Sequence, residues 1–165
     1  MAALFETYYP SPIGTLVLRA TEAALVSVLF TEDAVQADTT PLPACLQACR
    51  QQLQEYFAGH RKDFDLPLAS AGTLFQEQVW KQLGKIPFGH TLSYYDLSRA
   101  LGNPDAVRAV GSANGKNKLL LLRPCHRVIG ARGQLVGYAG GLWRKQWLLA
   151  HERKITGTPQ LTLFG

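Results

Sequence analysis

The sequence predicts an α+β fold in two lobes, and three observations carry that reading. Three short apolar segments separated by turn residues fill positions 4–30, as in an antiparallel sheet. Capped segments with helical spacing fill positions 73–113, as in a helical second lobe. The charge also changes sign along the chain: residues 1–89 hold 6 Lys/Arg against 9 Asp/Glu, and residues 90–165 hold 11 against 3.

Leu4 to Tyr9 reads as the first strand, and Pro10-Ser11-Pro12-Ile13-Gly14 as turn chemistry. Thr15 to Ala20 and Ala24 to Phe30 complete a three-stranded meander. Residues 31–43 form a polar, proline-bearing loop. From Cys45 to Phe57 apolar residues recur at 45, 46, 49, 53, 56 and 57, one face of a helix that Gly59 stops. His60 to Ala71 reads as extended, since Pro67 discourages helix. The lobe boundary is placed near 68–72, giving lobes over 1–70 and 71–155 and a tail over 156–165.

Thr73 with Gln76 three residues on predicts a capping box. The helix behind it carries Phe75, Val79 and Leu83 on one stripe and ends before Pro87. Ser93 opens a second helix with Tyr94, Leu97 and Leu101 on one face. Gly102-Asn103-Pro104 breaks it, and Asp105 starts a third helix reaching about Ala113. Helix, short glycine-bearing turn, helix is the helix-turn-helix pattern. The run Leu119-Leu120-Leu121-Leu122 reads as a buried strand. Residues 126–138 read as two short strands around Ala131-Arg132-Gly133, a hairpin able to form a wing. Leu142 to Glu152 reads as the last helix.

With 165 residues and 47% apolar content, the chain has enough material for a normal core. No apolar run approaches the roughly 20 residues that a membrane helix needs. The N-terminus shows neither a basic n-region nor a long h-region, so the expected location is cytoplasmic. Three cysteines, an odd number, argue against a disulfide framework and fit a reducing compartment. Cys45 and Cys49 read as small buried hydrophobes. Their i, i+4 spacing would suit a metal, but no third or fourth ligand is evident, and no metal is expected. The basic C-terminal half is the footprint of a polyanion binder or, more plainly, a solvated basic surface.

Chemistry concentrates at Pro124-Cys125-His126-Arg127-Val128. An unperturbed thiol has a pKa of about 8.5, and two basic neighbours favour the nucleophilic thiolate. His126 is placed to accept the proton. Adjacent side chains rarely bond directly, so a bridging water is the expected link. Read alone, Glu152 is a solvated residue at a helix end, and Tyr94 a helix tyrosine.

Pro124-Cys125-His126-Arg127-Val128 resembles the active-site signature of the O⁶-alkylguanine-DNA alkyltransferases. The supporting stretches are Phe75-Gln76-x-x-Val79-Trp80, Ser93-Tyr94, Arg108-Ala109-Val110-Gly111, Asn114-Gly115-x-Asn117, Gly137-Tyr138-Ala139-Gly140-Gly141 and Leu148-Leu149-Ala150-His151-Glu152. Their order and spacing also resemble the family, densely over 73–153 and more loosely over 1–70. The resemblance implies a ribonuclease-H-like N-terminal lobe and a winged-helix-like C-terminal lobe. It implies DNA repair by direct reversal of damage, with Cys125 taking the alkyl group from O⁶-alkylguanine, and from O⁴-methylthymine. A thioether is not regenerated, so each chain would act once, and no cofactor is required.

Residue roles follow from the same resemblance. His126 and Glu152 complete a Cys–water–His–Glu chain. Tyr94 gives a proton to the base and crowds the phosphate backbone. Asn117 braces the turn before the active-site strand. Arg108 fills the stack vacated by a flipped base, and Ala109, Ser112 and Arg127 join it on DNA. Tyr138, Ala139 and Gly140 wall the base pocket. The implied partner is double-stranded DNA met through the minor groove, by a monomer acting alone or with cooperating copies. Arg123 departs from the family, which usually carries an aliphatic residue there. It must snorkel, pair with a carboxylate, or reach phosphate. Three rival readings remain at this point: a lesion-flagging binding module, a winged-helix transcription factor, and a thiol hydrolase. Cys125 argues against the first, and no oxyanion-hole motif supports the last.

Overall fold

The computed structural model describes residues 3–38, 41–69 and 71–157. The chain divides into two compact units, Met1–Ser70 and Ala71–Gly165. Among the described residues, no helix is long and apolar enough to cross a membrane.

The first unit is a meander of β1 (Phe5–Ser11), β2 (Gly14–Ala20) and β3 (Leu25–Thr31), with β2 central and both pairings antiparallel. The first strand runs two residues past Tyr9, because Pro10 lies on an edge strand, where its missing N–H costs little. The turn therefore shrinks to Pro12-Ile13, closed by Gly14 at φ 117°. Helix α1 (Ala44–Phe57) packs on β1 and β2 through Cys45, Leu46, Cys49, Leu53 and Tyr56. Full burial of Leu46 and Leu53 contributes about 1.5–3 kcal/mol each. The extended segment before the boundary lies beside β3: Leu25 N–H donates to Pro67 O, and Ala69 N–H to Leu25 O. This sheet-plus-helix unit is the one the sequence predicts.

The second unit begins with α2 (Leu74–Leu83), and the capping box forms as read. Gln76 N–H donates to Thr73 Oγ1 at 3.1 Å, and Thr73 N–H to Gln76 Oε1 at 2.9 Å. Strand β4 (Leu92–Ser93) leads into α3 (Tyr94–Ala100), which Ser93 caps through Asp96 N–H. Gly102, at φ 80°, makes the break between α3 and the next helix. Helix α4 spans Val107–Gly115 rather than starting at Asp105, since Ala106 N–H is taken by Asn103 O in a turn. Trp80 of α2 donates its indole N–H to Ala113 O near the end of α4 at 2.9 Å.

Three elements differ from the sequence reading. Leu119–Leu122 is a turn, not a strand: Asn117 Oδ1 accepts Leu119 N–H, and Arg123 N–H closes back on Leu119 O. Leu119, Leu120 and Leu121 are buried, so the apolar run reported burial correctly and secondary structure wrongly. Leu121 sits at φ 72°, a left-handed conformation costing a non-glycine residue about 1–2 kcal/mol. The expected wing hairpin is absent. Cys125–Arg127 is a 3₁₀ turn, and β5 (Val128–Ile129) pairs in parallel with β4. After the turn closed by Gly130 N–H on Gln134 O, no second strand forms. Finally, α5 (Leu142–Thr156) continues past Glu152 to a left-handed Gly157. The expected tail thus loses residue 156 to the helix, and residues 158–165 lie outside those described.

Candidate active site

Cys125 opens the 3₁₀ turn, 4% exposed, with its N–H donating to Arg123 O at 2.7 Å. Asn117 holds the approach: its Nδ2 donates to Arg123 O at 3.0 Å. One carbonyl, Arg123 O, therefore ties the Asn117 side chain to the Cys125 backbone. Burial pushes the Cys125 thiol up, while the Asn117 amide and the Lys145 ammonium pull it back. The charge that favours the thiolate is thus Lys145, not the adjacent His126 and Arg127, which turn toward Glu152.

Glu152 is fully buried and surrounded by donors. His126 Nε2–H reaches Oε2 at 2.7 Å; Arg127 Nε reaches Oε1 at 2.8 Å and its Nη2 reaches Oε2 at 3.1 Å; Gly89 N–H reaches Oε1 at 3.1 Å. Burial alone would raise the Glu152 carboxyl, but the imidazole and guanidinium outweigh it and hold it well below the usual range. Burial lowers His126, and the charges of Arg127 and Lys145 add to that against the pull of Glu152. The imidazole is therefore neutral beside an ionised carboxylate. A carboxylate only accepts, so the ring proton lies on Nε2 and the lone pair on Nδ1. Nδ1 is buried and without a hydrogen-bond partner among the described residues.

Arg127 corrects one expectation. The residue is 5% exposed, its guanidinium committed to Glu152 and, through Nη1, to Ile86 O at 2.7 Å. Buried, with each of its three nitrogens bonded inside the protein, it is not available to DNA. That Glu152 holds two side chains at once has no signature in the sequence. Gly89 was also missed. It lies at φ 82°, and an added Cβ would stand 2.6 Å from Thr156 Cγ2, so only glycine brings this backbone to Glu152.

Cys125 lines a cleft of about 490 Å³ together with Tyr94, Asn114, Asn117, Tyr138 and Ala139. Tyr94 Oη donates to Val136 O at 3.0 Å, and burial raises its hydroxyl. Tyr138 sets its ring edge toward His126 at 6.5 Å between centroids, with its hydroxyl buried and without a hydrogen-bond partner among the described residues. Gly140 departs from the expected set. It is not among the residues lining the cleft; it is buried, its carbonyl accepting from Arg144 Nη1 at 3.0 Å. On α4, Arg108, Ala109 and Ser112 are exposed on adjacent positions of one face. Arg123 neither reaches outward nor strains: its guanidinium lies 4.6 Å over the Trp80 ring, half buried, with Glu77 supporting its charge. Among the described residues, no three His, Cys, Asp or Glu side chains gather where they could hold a metal ion.

Residues 74–154 match the DNA-binding domain of 6-O-methylguanine DNA methyltransferase, and residues 4–70 match its ribonuclease-like domain. The chain belongs to the 6-O-methylguanine DNA methyltransferase family. Curated relatives of this family include the methylated-DNA–protein-cysteine methyltransferase of Mycolicibacterium paratuberculosis, 43% identical over 93% of this chain and 94% of that protein. The constitutive enzyme of Bacillus subtilis is 42% identical over 90% and 95%. Among solved structures, O⁶-methylguanine methyltransferase from Mycobacterium tuberculosis superposes with a TM-score of 0.83 at 41% identity, covering 99% of this chain and 100% of that one. OGT from the same organism in complex with DNA gives 0.82 at 43%, covering 91% and 93%. The two family domains agree with the α+β fold and ribonuclease-like first lobe expected from sequence.

Proposed function

We propose that this protein is a methylated-DNA–protein-cysteine S-methyltransferase that repairs DNA by moving an alkyl group from O⁶ of guanine onto Cys125. The observation that carries the reading is a buried thiol lining a cleft, with a neutral imidazole and an ionised carboxylate behind it. His126 Nδ1 takes the thiol proton through a water, and Glu152 steadies the imidazolium. The sulphur attacks the alkyl carbon in line; a C–S bond forms and the C–O⁶ bond breaks. Tyr94 gives its proton to the leaving ring and recovers one from the His126 side. In net terms the thiol loses one proton and guanine gains one. Asn117 fixes the loop that aims the sulphur.

The reacting carbon lies inside the duplex, so the base is extruded into the cleft between Tyr94 and the Tyr138–Ala139 wall. Arg108 then fills the gap in the stack, with Ala109 and Ser112 against the minor groove, where readout is degenerate and any sequence context is tolerated. O⁴-methylthymine presents the same alkyl–oxygen bond on a smaller ring and is a second substrate. The thioether product has no leaving group, so the chain acts once; the damaged DNA is itself the alkyl donor, so no cofactor is needed, and the chain works as a monomer, alone or with cooperating copies on DNA. Three free thiols suit the reducing cytoplasm.

Incubation with an excess of duplex carrying O⁶-methylguanine, followed by peptide mass spectrometry, tests the reading. One methyl per chain, on Cys125, is expected. Multiple turnovers, or methyl on Cys45 or Cys49 alone, would overturn it. Cys125→Ser should bind the lesion duplex and leave it unrepaired.

A further inference from the structure

The chemistry above leaves one polar side chain of the cleft without work. Helix α4 turns Val107, Gly111, Asn114 and Gly115 toward the cleft, a single stripe of the helix. The Tyr94 ring lies against this stripe: a Cβ added at Gly111 would stand 3.9 Å from its Cδ1 and Cε1. Asn114 comes next along the stripe, buried, its backbone held by Asn117 N–H on Asn114 O at 3.3 Å. Its Oδ1 is buried and without a hydrogen-bond partner among the described residues. A buried acceptor left unpaired costs stability, and a leucine would fill the same place without that cost. The other end of the carboxamide must therefore do something that a leucine cannot.

That end faces the Tyr94 hydroxyl. Burial raises the hydroxyl, and the Asn114 side chain pulls it down. Tyr94 Oη already gives its only proton, to Val136 O at 3.0 Å, so toward Asn114 it can only accept. The group that meets it is therefore Nδ2–H. We propose that Asn114 is a positioning residue for alkyl transfer: its Nδ2–H donates to Tyr94 Oη, leaves the hydroxyl proton free to swing from Val136 O to the extruded base, and holds the oxygen as that proton departs. The proposal rests on Tyr94 being the donor to the leaving ring. The proton balance is unchanged, since Asn114 neither gains nor loses one, and the proton that Tyr94 passes on is replaced from the His126 side. A thiolate at Cys125 opposes loss of the Tyr94 proton, and a neutral donor offsets that without adding a charge to the cleft. The Lys145 ammonium also faces the ring, 5.9 Å from its centre, but donates to Val136 O and Gly137 O. Hydrogen bonds of the Asn114 kind are often long in an empty site and tighten as charge develops.

A double-mutant cycle tests it. Single-turnover methyl transfer from a duplex carrying O⁶-methylguanine is measured for the parent, Asn114→Leu, Tyr94→Phe and the two together. Asn114→Leu should slow transfer about tenfold, the worth of one hydrogen bond to a developing charge. Its Cys125 should still react with iodoacetamide within about threefold of the parent rate. On the Tyr94→Phe background the leucine should cost less than about twofold, because the oxygen that the amide served is gone. An undiminished loss on that background would overturn the proposal, as would a leucine variant that repairs at the parent rate. If the leucine variant fails to fold, or the chain transfers no methyl, NMR without DNA decides. The Asn114 side-chain amide signals should move on Tyr94→Phe while those of Asn117 stay in place. Unmoved Asn114 signals would overturn the pairing; moved signals in a chain that transfers no methyl would keep the pairing and overturn the repair reading instead.

Discussion

Glu152 accepts from a backbone amide, an imidazole and a guanidinium, so neutralising it strands donors on every side. Glu152→Gln should leave Arg127 as an uncompensated buried charge and lower stability by about 3–5 kcal/mol. Denaturant melts check the stability. The same variant loses the carboxylate that fixes the His126 tautomer, so single-turnover methyl transfer should fall by at least about tenfold. The pH dependence has a definite sign. Both Glu152 and His126 have folded pKa values below their unfolded ones. The unfolded chain therefore binds more protons, and stability drops with acid. The histidine contribution is complete above about pH 6.5 and the glutamate contribution above about pH 4.3; each is lost as pH falls toward its folded value. Melts from pH 8 to 4 should show the first loss near neutrality, and His126→Gln should remove that early limb. Cys125 and His126 were legible because the reactive types sit side by side in sequence. The inward turn of Arg127 has no such signal, because a charge beside a reactive cysteine reads the same whether it faces outward or in. Lys145 was visible only as part of a stripe shared with Glu152.

Among the elements, α4 bears the most direct prediction. Arg108 is exposed and tied to no catalytic group, so Arg108→Ala should slow transfer from duplex DNA while leaving Cys125 reactivity toward iodoacetamide unchanged. Parallel rates on the two substrates check this; equal slowing of both would remove Arg108 from the DNA-facing role. Thr73→Ala should cost about 1 kcal/mol through loss of the capping box, read by denaturant melts. The helices were legible because their starts are written locally, in Thr73, Ser93 and Gly102. The turn over 119–123 was not. Its shape depends on the Asn117 side chain folding back onto the main chain of Leu119 and Arg123 and on a leucine held left-handed, and neither has a periodic signature. The second wing strand failed for a related reason: β5 finds its partner in β4, far back in the sequence.

At the scale of the whole molecule the charge split sets the expected response to salt. Residues 90–165 carry a net of +8, 11 basic against 3 acidic, and residues 1–89 a net of −3, 6 against 9. Duplex affinity should fall by at least about tenfold between 50 and 200 mM salt, measured by fluorescence anisotropy. A flat response would confine binding to the cleft.

The 4% exposure of Cys125 has a consequence for what remains after the reaction. A methyl group added to a sulphur enclosed on every side but the cleft acts as a small-to-large substitution made after folding, of the kind that costs about 1–3 kcal/mol in an ordinary core. The spent protein is in effect its own destabilised mutant, one that each chain makes of itself by working. Its Tm should lie several degrees below that of the unreacted chain, and limited proteolysis should cut it first, so the record of each repair is written as a shortened lifetime.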